Sequence, residues 1–305
     1  MDGKWLSVPR FYAPHAVNYR TDVFEAVGVT KDSPPQTWEE VYEVGKAIMD
    51  AGLPPVAFPL AHATGDGNDF NYTVLWSYGG SDVKEDGKTV AIDSDETRAA
   101  LEFMLKLKSV MPDDVLSYDD GANNRAFDAS AISATNNAPT IWGNAFLQQK
   151  KVDMGGEQKN LADYIDHFEY PAGPAGRVAY AEFMSQAIFS YSPNVDAAKA
   201  LLTYLNEKDQ LSPWAMPNLG FVFPALKDYK DNVIMPWNTN PKIAPFKNNA
   251  GVSHLPGYPS KNFKGGTDAY AKWVVVDMFA SVCSDVATID EAIATAAALL
   301  AESYG

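Results

Sequence analysis

Apolar residues recur along this chain on two periods. Trp38, Val41, Tyr42, Ile48 and Met49 share one helical face. That helix opens on the capping box Thr37-Trp38-Glu39-Glu40, behind the stop Pro34-Pro35, and ends at Ala51-Gly52. Ser94 caps a second helix, with Asp95 and Glu96 in its first turn. Its face is Leu101, Met104, Leu105 and the stem of Lys108, and Met111-Pro112 ends it. A third starts at Ser192-Pro193-Asn194, with Ala198, Leu201, Leu202 and Leu205 expected inward. A fourth is predicted from Thr267 or Asp268 through Val282. The capping box Thr288-Ile289-Asp290-Glu291 opens the last, with Ile289, Ile293, Ala296 and Leu300 inward.

Shorter apolar runs at Trp5–Pro9, Ala16–Tyr19, Ala131–Thr135 and Phe183–Tyr191 predict strands, and Asp86-Gly87 predicts a tight hairpin. Tyr170 to Gly176, rich in Pro and Gly, reads as a joint and candidate lobe boundary, and residues 211–265 read mostly as loops with short helices. Strands alternating with helices predict an α/β layout with a parallel sheet.

The chain has 305 residues, 46% hydrophobic and 21% charged, enough for one large domain or two lobes. Its net charge of −15 disfavours nucleic acid and anionic lipid surfaces. No apolar run is long enough to cross a bilayer, and no charged and apolar leader is visible ahead of the first strand. The single cysteine, Cys283, excludes an internal disulfide and is expected to be buried packing.

The phosphate-binding glycine motifs, the H-E-x-x-H zinc motif and the G-x-S-x-G elbow are all absent. The four histidines, His15, His62, His167 and His254, lie far apart in sequence, and no metal or cofactor is expected. Asp113-Asp114 and Asp119-Asp120 read as solvated loop charge, whereas Asp66-x-x-Asp69, in a glycine-rich loop, reads as a hydrogen-bond acceptor at a site. The 7 Trp, 15 Tyr and 15 Phe stand out, several beside turn residues. Rings stacking on the C–H faces of a pyranose, with acids and amides around its hydroxyl rim, would make a sugar site.

The order of these features resembles the family 1 extracellular solute-binding proteins of ABC importers, the class that includes maltose-binding protein. Lys4–Pro9 followed by Val17 to Gly28 is similar to the family's "G-K-x-x-x-x-P … Y-N-x-D-x-F-x-x-x-G", with Arg20 where Asn is usual. Pro34 to Val41 matches "P-P-x-T-W-D/E-E" closely. Phe127 to Ile132 resembles "F-x-x-G-x-x-A-M", with Ser130 in place of Gly. Ile188 to Leu202 and Thr288 to Ala292 resemble later family segments in the family's order.

The resemblance implies a two-lobe periplasmic-binding-protein-like fold of the class II type, with discontinuous lobes and an incomplete first lobe. By that mapping the chain begins at the first hinge crossing, with the earlier first-lobe units and the export signal ahead of it in the family pattern. Residues 1–9 and 176–230 are then the first-lobe remnant and hinge crossings, and 10–175 and 231–305 the second lobe.

The implied function is binding of a sugar or oligosaccharide by hinge closure, without catalysis, outside the cytoplasmic membrane. The implied partner is an ABC permease, and the protein is expected to be a monomer. Carried over position by position, the expected ligand-binding residues are Arg10 and Tyr12 after the crossing strand, Asp69 and Asn71 at the second-lobe rim, and Trp142 after a strand. Glu182 and Phe183 on the return crossing, Tyr258 in a cleft-lining loop and Trp273 on the penultimate helix complete the set. Two alternatives stand beside it. One is a carbohydrate-active enzyme, which needs two carboxylates across a sugar. The other is a chain that binds nothing because its sheet edges are uncovered.

Overall fold

The structure is a computed structural model that describes residues 6–62, 65–226, 229 and 240–305. Along the described residues the strands are β1 (Val8–Pro14), β2 (Ala16–Arg20), β3 (Ala134–Asn137), β4 (Lys151–Met154), β5 (Glu157–Asn160), β6 (Ile165–Phe168), β7 (Ala179–Gln186), β8 (Phe223–Pro224) and β9 (Ser253–His254). The α-helices are α1 (Thr21–Ala26), α2 (Trp38–Asp50), α3 (Gly65–Ser77), α4 (Asp95–Lys108), α5 (Ala122–Asp128) and α6 (Thr140–Leu147). They continue with α7 (Val195–Asn206), α8 (Lys208–Ala215), α9 (Ala244–Ala250), α10 (Phe263–Ala271), α11 (Val274–Cys283) and α12 (Ile289–Tyr304).

The first expected strand begins outside the described residues, at Trp5, and the observed β1 starts three positions later at Val8. Lys4 also lies outside them.

The expected parallel sheet is corrected by the pairing. One sheet has the order β8-β1-β7-β9 and a second the order β3-β2-β6. β1 runs antiparallel to both β7 and β8, β2 to both its neighbours and β4 to β5, while among the described residues the parallel pairings are β7–β9 and the isolated bridges Val56–Ala134 and Thr37–Ala172. The reason lies in the path. The chain passes outward along β1 and returns along β7 in the same layer, so the two passages oppose each other.

Every residue of β2 is buried, including Asn18 and Arg20. The Arg20 guanidinium is held by Asp22 at 2.8 Å through two nitrogens and donates to Ser130 Oγ at 2.7 Å. Ser130 itself takes a left-handed backbone at φ 58°.

Behind β2 the main core gathers around Trp38. Its ring meets Phe70 edge-on at 5.6 Å and Phe58 at 6.1 Å, and those two stack at 4.8 Å. The Thr37 and Thr288 capping boxes both form, and Ser94 caps α4 through Thr97 N. Asp86-Gly87 closes its turn through the Val83–Val90 bridge. The turn-rich segment at 170–176 is docked, not loose: Ala172 bridges to Thr37, and a side chain at Gly173 would collide with the Ser77 carbonyl.

Four helix and strand expectations shift. The strand expected at Phe183–Tyr191 is β7, which runs from Ala179 to Gln186. β3 starts at Ala134 and takes in Asn136 and Asn137, whose polar side chains are buried. The single helix expected up to Val282 is two, α10 and α11, broken at Lys272-Trp273, where Trp273 is left-handed at φ 60°. The expected core face of α7 is not buried: no residue of that helix is, and Leu201 is 56% exposed. That face is at most half-buried among the described residues and borders a cavity of about 720 Å³ reaching Leu6, Val8, Phe189 and Leu202.

Candidate functional site

The site grows from the junction between β1 and β2. His15 sits there, directly after β1 ends at Pro14, and is 3% exposed. The β1–β7 register sets Glu182 opposite Ala13, which brings its carboxylate to 3.9 Å from His15 Nε2. α3 packs on β7, where Thr73 Oγ1 accepts from the Tyr180 N–H at 3.1 Å. One helical turn earlier on α3, Asp69 therefore faces His15, its Oδ2 3.5 Å from Nδ1. α10 closes the far side: the Tyr270 hydroxyl donates to Asp69 Oδ1 at 3.0 Å, and Asn68 Nδ2 donates to the Tyr270 carbonyl at 3.0 Å.

From Tyr270 an aromatic wall runs outward. Tyr180 stacks on Tyr270 with centroids 5.6 Å apart, and Trp76 lies parallel to Tyr180 at 6.4 Å. Tyr258 meets Trp76 edge-on at 6.0 Å and stacks on His254 at 3.6 Å.

One turn toward the α3 N-terminus, Asp66 accepts from Asn123 Nδ2 at 2.9 Å and from Asn137 Nδ2 at 3.4 Å. Asn136 Nδ2 donates to the Asp66 carbonyl, and the Asp120 carboxylate takes the Gly65 N–H. This patch is why β3 keeps polar residues in a buried strand.

Burial dominates the electrostatics. It pushes the Asp69 carboxyl well above the usual range, with the like charges of Asp66 and Glu182 adding to it. Burial pushes Asp66 up to about 6. His15 is lowered by burial, with Glu182 opposing, which favours the neutral imidazole. Burial also raises the phenols of Tyr180 and Tyr270. Buried polar atoms without a hydrogen-bond partner collect here: His15 Nδ1, Asn68 Oδ1, Asn71 Oδ1 and Asn136 Oδ1. Among the described residues, His15, Asp69 and Glu182 are the group that offers three metal-type donor atoms, all within 4.8 Å of one another.

Of the residues expected from sequence, Asp69 and Glu182 come together around His15, and Tyr258 joins the aromatic wall. Tyr12 pairs with Phe183 across β1–β7, and its ring packs on Phe223 at 4.4 Å. Asn71 turns back into its own helix, donating to the Gly67 carbonyl at 2.6 Å. Trp142 is buried in α6, stacked on Phe146 at 5.5 Å. Arg10 points away from the cluster: its guanidinium donates to the Leu205 carbonyl and lies 4.4 Å over the Trp214 ring, tying β1 to α7 and α8. Trp273 stacks on His62 at 5.0 Å, and His62 Nδ1 lies 2.6 Å from Asp277 Oδ1.

Sequence reasoning passed over His15, Tyr180 and Tyr270 as ligand residues. A histidine at a strand junction and tyrosines on elements far apart in the chain have no local spacing to mark them. Only the β1–β7 register and the packing of α3 and α10 bring them together.

Residues 2–211 match the family model described as bacterial extracellular solute-binding protein. A binding protein of Brucella abortus (strain 2308) is 27% identical over 228 residues, covering 73% of this chain and 51% of that one. The sn-glycerol-3-phosphate-binding periplasmic protein UgpB of Rhizobium meliloti is 39% identical over 54 residues, 18% of this chain and 13% of that one. The chain thus spans about half the length of the Brucella relative, 51%. Maltose-bound MalE3 of T. maritima superposes with a TM-score of 0.77 at 25% identity, covering 98% of this chain and 73% of that one. An ABC transporter solute-binding protein of Thermotoga lettingae bound with alpha-D-tagatose gives 0.78 at 20% identity, covering 98% and 72%. The two-lobe architecture of these proteins is the fold of this chain.

Proposed function

The chain belongs to the bacterial extracellular solute-binding proteins, and on that premise we propose that it is the substrate-binding component of an ABC importer that takes a sugar or oligosaccharide. The observation that carries this reading is the continuity of the Trp76–Tyr180–Tyr270 wall with the acceptors of His15, Asp69 and Glu182. Rings take the C–H faces of a pyranose while carboxylates and amides accept from its hydroxyls. A micromolar ligand needs about 8 kcal/mol, within reach of a few such contacts in a formed site.

The same reading makes β1 and β7 the hinge crossings between two lobes, residues 1–9 with 176–230 and 10–175 with 231–305. A guest touching both walls favours the closed form. It also makes the protein a monomeric binder outside the cytoplasmic membrane that delivers its ligand to a permease and performs no catalysis.

The acids of the site argue for a sugar without phosphate, despite the short stretch shared with glycerol-3-phosphate binders. The test is calorimetry and thermal shift with glucose, maltose, tagatose and sn-glycerol 3-phosphate. At least one neutral sugar is expected to raise the unfolding midpoint, and Tyr258→Ala is expected to weaken it about tenfold. No shift with any sugar, or equal affinity in the variant, would refute the reading. Release of reducing ends from an oligosaccharide panel would favour the hydrolase alternative instead.

A further inference from the structure

We propose that the His15–Asp69–Glu182 cluster recognises a protonated primary amine on the ligand. The inference rests on the ligand-site reading above and names the chemical class within it. Three observations carry it.

The first is the charge around the cluster. The charged groups acting on Asp69 are Asp66, Glu182 and Asp120, all acidic, beside the hydrogen bond from the Tyr270 hydroxyl. Among the described residues no lysine or arginine bonds to Asp69 or Glu182, and Arg10, the basic residue of β1, is committed to the Leu205 carbonyl and Trp214. The site lacks a cation of its own.

The second is His15 Nδ1. It is buried, makes no hydrogen bond, and lies 3.5 Å from Asp69 Oδ2; in the tautomer that carries its proton on Nε2, toward Glu182, Nδ1 and Asp69 Oδ2 both face the cluster as acceptors. An imidazole kept neutral by burial leaves one ring nitrogen free to accept.

The third is span. One donor-accepting atom from each of the three residues lies within 4.8 Å of the others. A primary ammonium has three N–H donors in tetrahedral array, and charge-assisted bonds near 2.8 Å set its three acceptors ~4.6 Å apart. A zinc ion would draw N and O donors in to ~3.4 Å apart. His15 Nδ1–Asp69 Oδ2 at 3.5 Å and His15 Nε2–Glu182 Oε2 at 3.9 Å fall between these two spacings, so the lack of a cation is what favours the ammonium, and Zn²⁺ is kept as the competing probe. Tyr180 and Tyr270, with faces parallel at 5.6 Å, extend the acceptor set into the aromatic wall, which would hold the ligand's ring.

The experiment titrates four probes at pH 7 by calorimetry: glucosamine, glucose, putrescine and Zn²⁺. Glucosamine is expected to bind at least tenfold tighter than glucose. Glu182→Gln, at a half-exposed side chain, is expected to collapse that preference, and its unliganded unfolding midpoint controls for folding. Binding of putrescine without either sugar would uphold amine recognition and overturn the sugar reading. Equal affinity for glucose and glucosamine would overturn the amine and leave the sugar reading standing. A midpoint raised by Zn²⁺ and not by the amines would also overturn the amine. No binding by any probe would overturn both.

Discussion

At the scale of single residues, the two departures from the family pattern meet. Arg20 replaces an asparagine and Ser130 a glycine, and Ser130 Oγ accepts from the Arg20 guanidinium at 2.7 Å. The hydroxyl satisfies a buried cation, and the cost is a serine held at φ 58°. Ser130→Ala loses the bond and keeps the strain, whereas Ser130→Gly loses both. The alanine variant is therefore expected to be the less stable by about 1 kcal/mol in denaturant unfolding. Equal stability would show that the strain is negligible.

His167 offers a pH test. Burial carries its imidazole from 6.5 down to about 3, beside Lys242, whose carbonyl lies 2.7 Å from Nδ1. The unfolded chain takes a proton below 6.5 that the folded one refuses. The stability this group supplies is thus complete above pH 6.5 and is lost as pH falls toward 3. The loss is up to about 5 kcal/mol. His167→Gln is expected to flatten the acid limb of a midpoint-against-pH curve, and an unchanged limb would contradict a neutral buried imidazole.

At the scale of elements, helices with caps and one apolar face were legible: α2, α4 and α12 start at the capping residues that the pattern marks. Those signals are local, and the physics that reads them is local. Strand direction was not legible, because antiparallel β1–β7 depends on the chain returning through its own layer some 170 residues later, by the pairing of Pro9 with Ser185. The break at Trp273 carries neither Gly nor Pro to announce it. α7 shows the opposite failure: its pattern is amphipathic, yet among the described residues none of its apolar face is fully buried. Leu101, wholly buried on α4, and Leu201, 56% exposed on α7, look alike in sequence. Leu101→Ala is expected to cost 2 to 5 kcal/mol, as large-to-small core changes do (roughly). Leu201→Lys should stay within about 0.5 kcal/mol. Paired unfolding curves decide it, and a large loss at Leu201 would mean that something covers that face in solution.

At the scale of the whole molecule, the fold came from the order of many weak signals, while the candidate site was legible only in part. Asp69 and Glu182 were foreseen and meet; Arg10 was foreseen and points elsewhere; His15 and Tyr270 were not foreseen. Sequence marks which residues can do chemistry, and long-range packing decides which of them share a volume. The wall that grew from that packing has an optical consequence. Trp76, one of 7 tryptophans, sits with Tyr180 at 6.4 Å and Tyr258 at 6.0 Å. Any guest that tilts the half-exposed Tyr258 changes the surroundings of that indole, so its emission should shift or dim on loading. Trp76→Phe should silence the signal. An unlabelled sample in a fluorimeter would then register occupancy by its own glow.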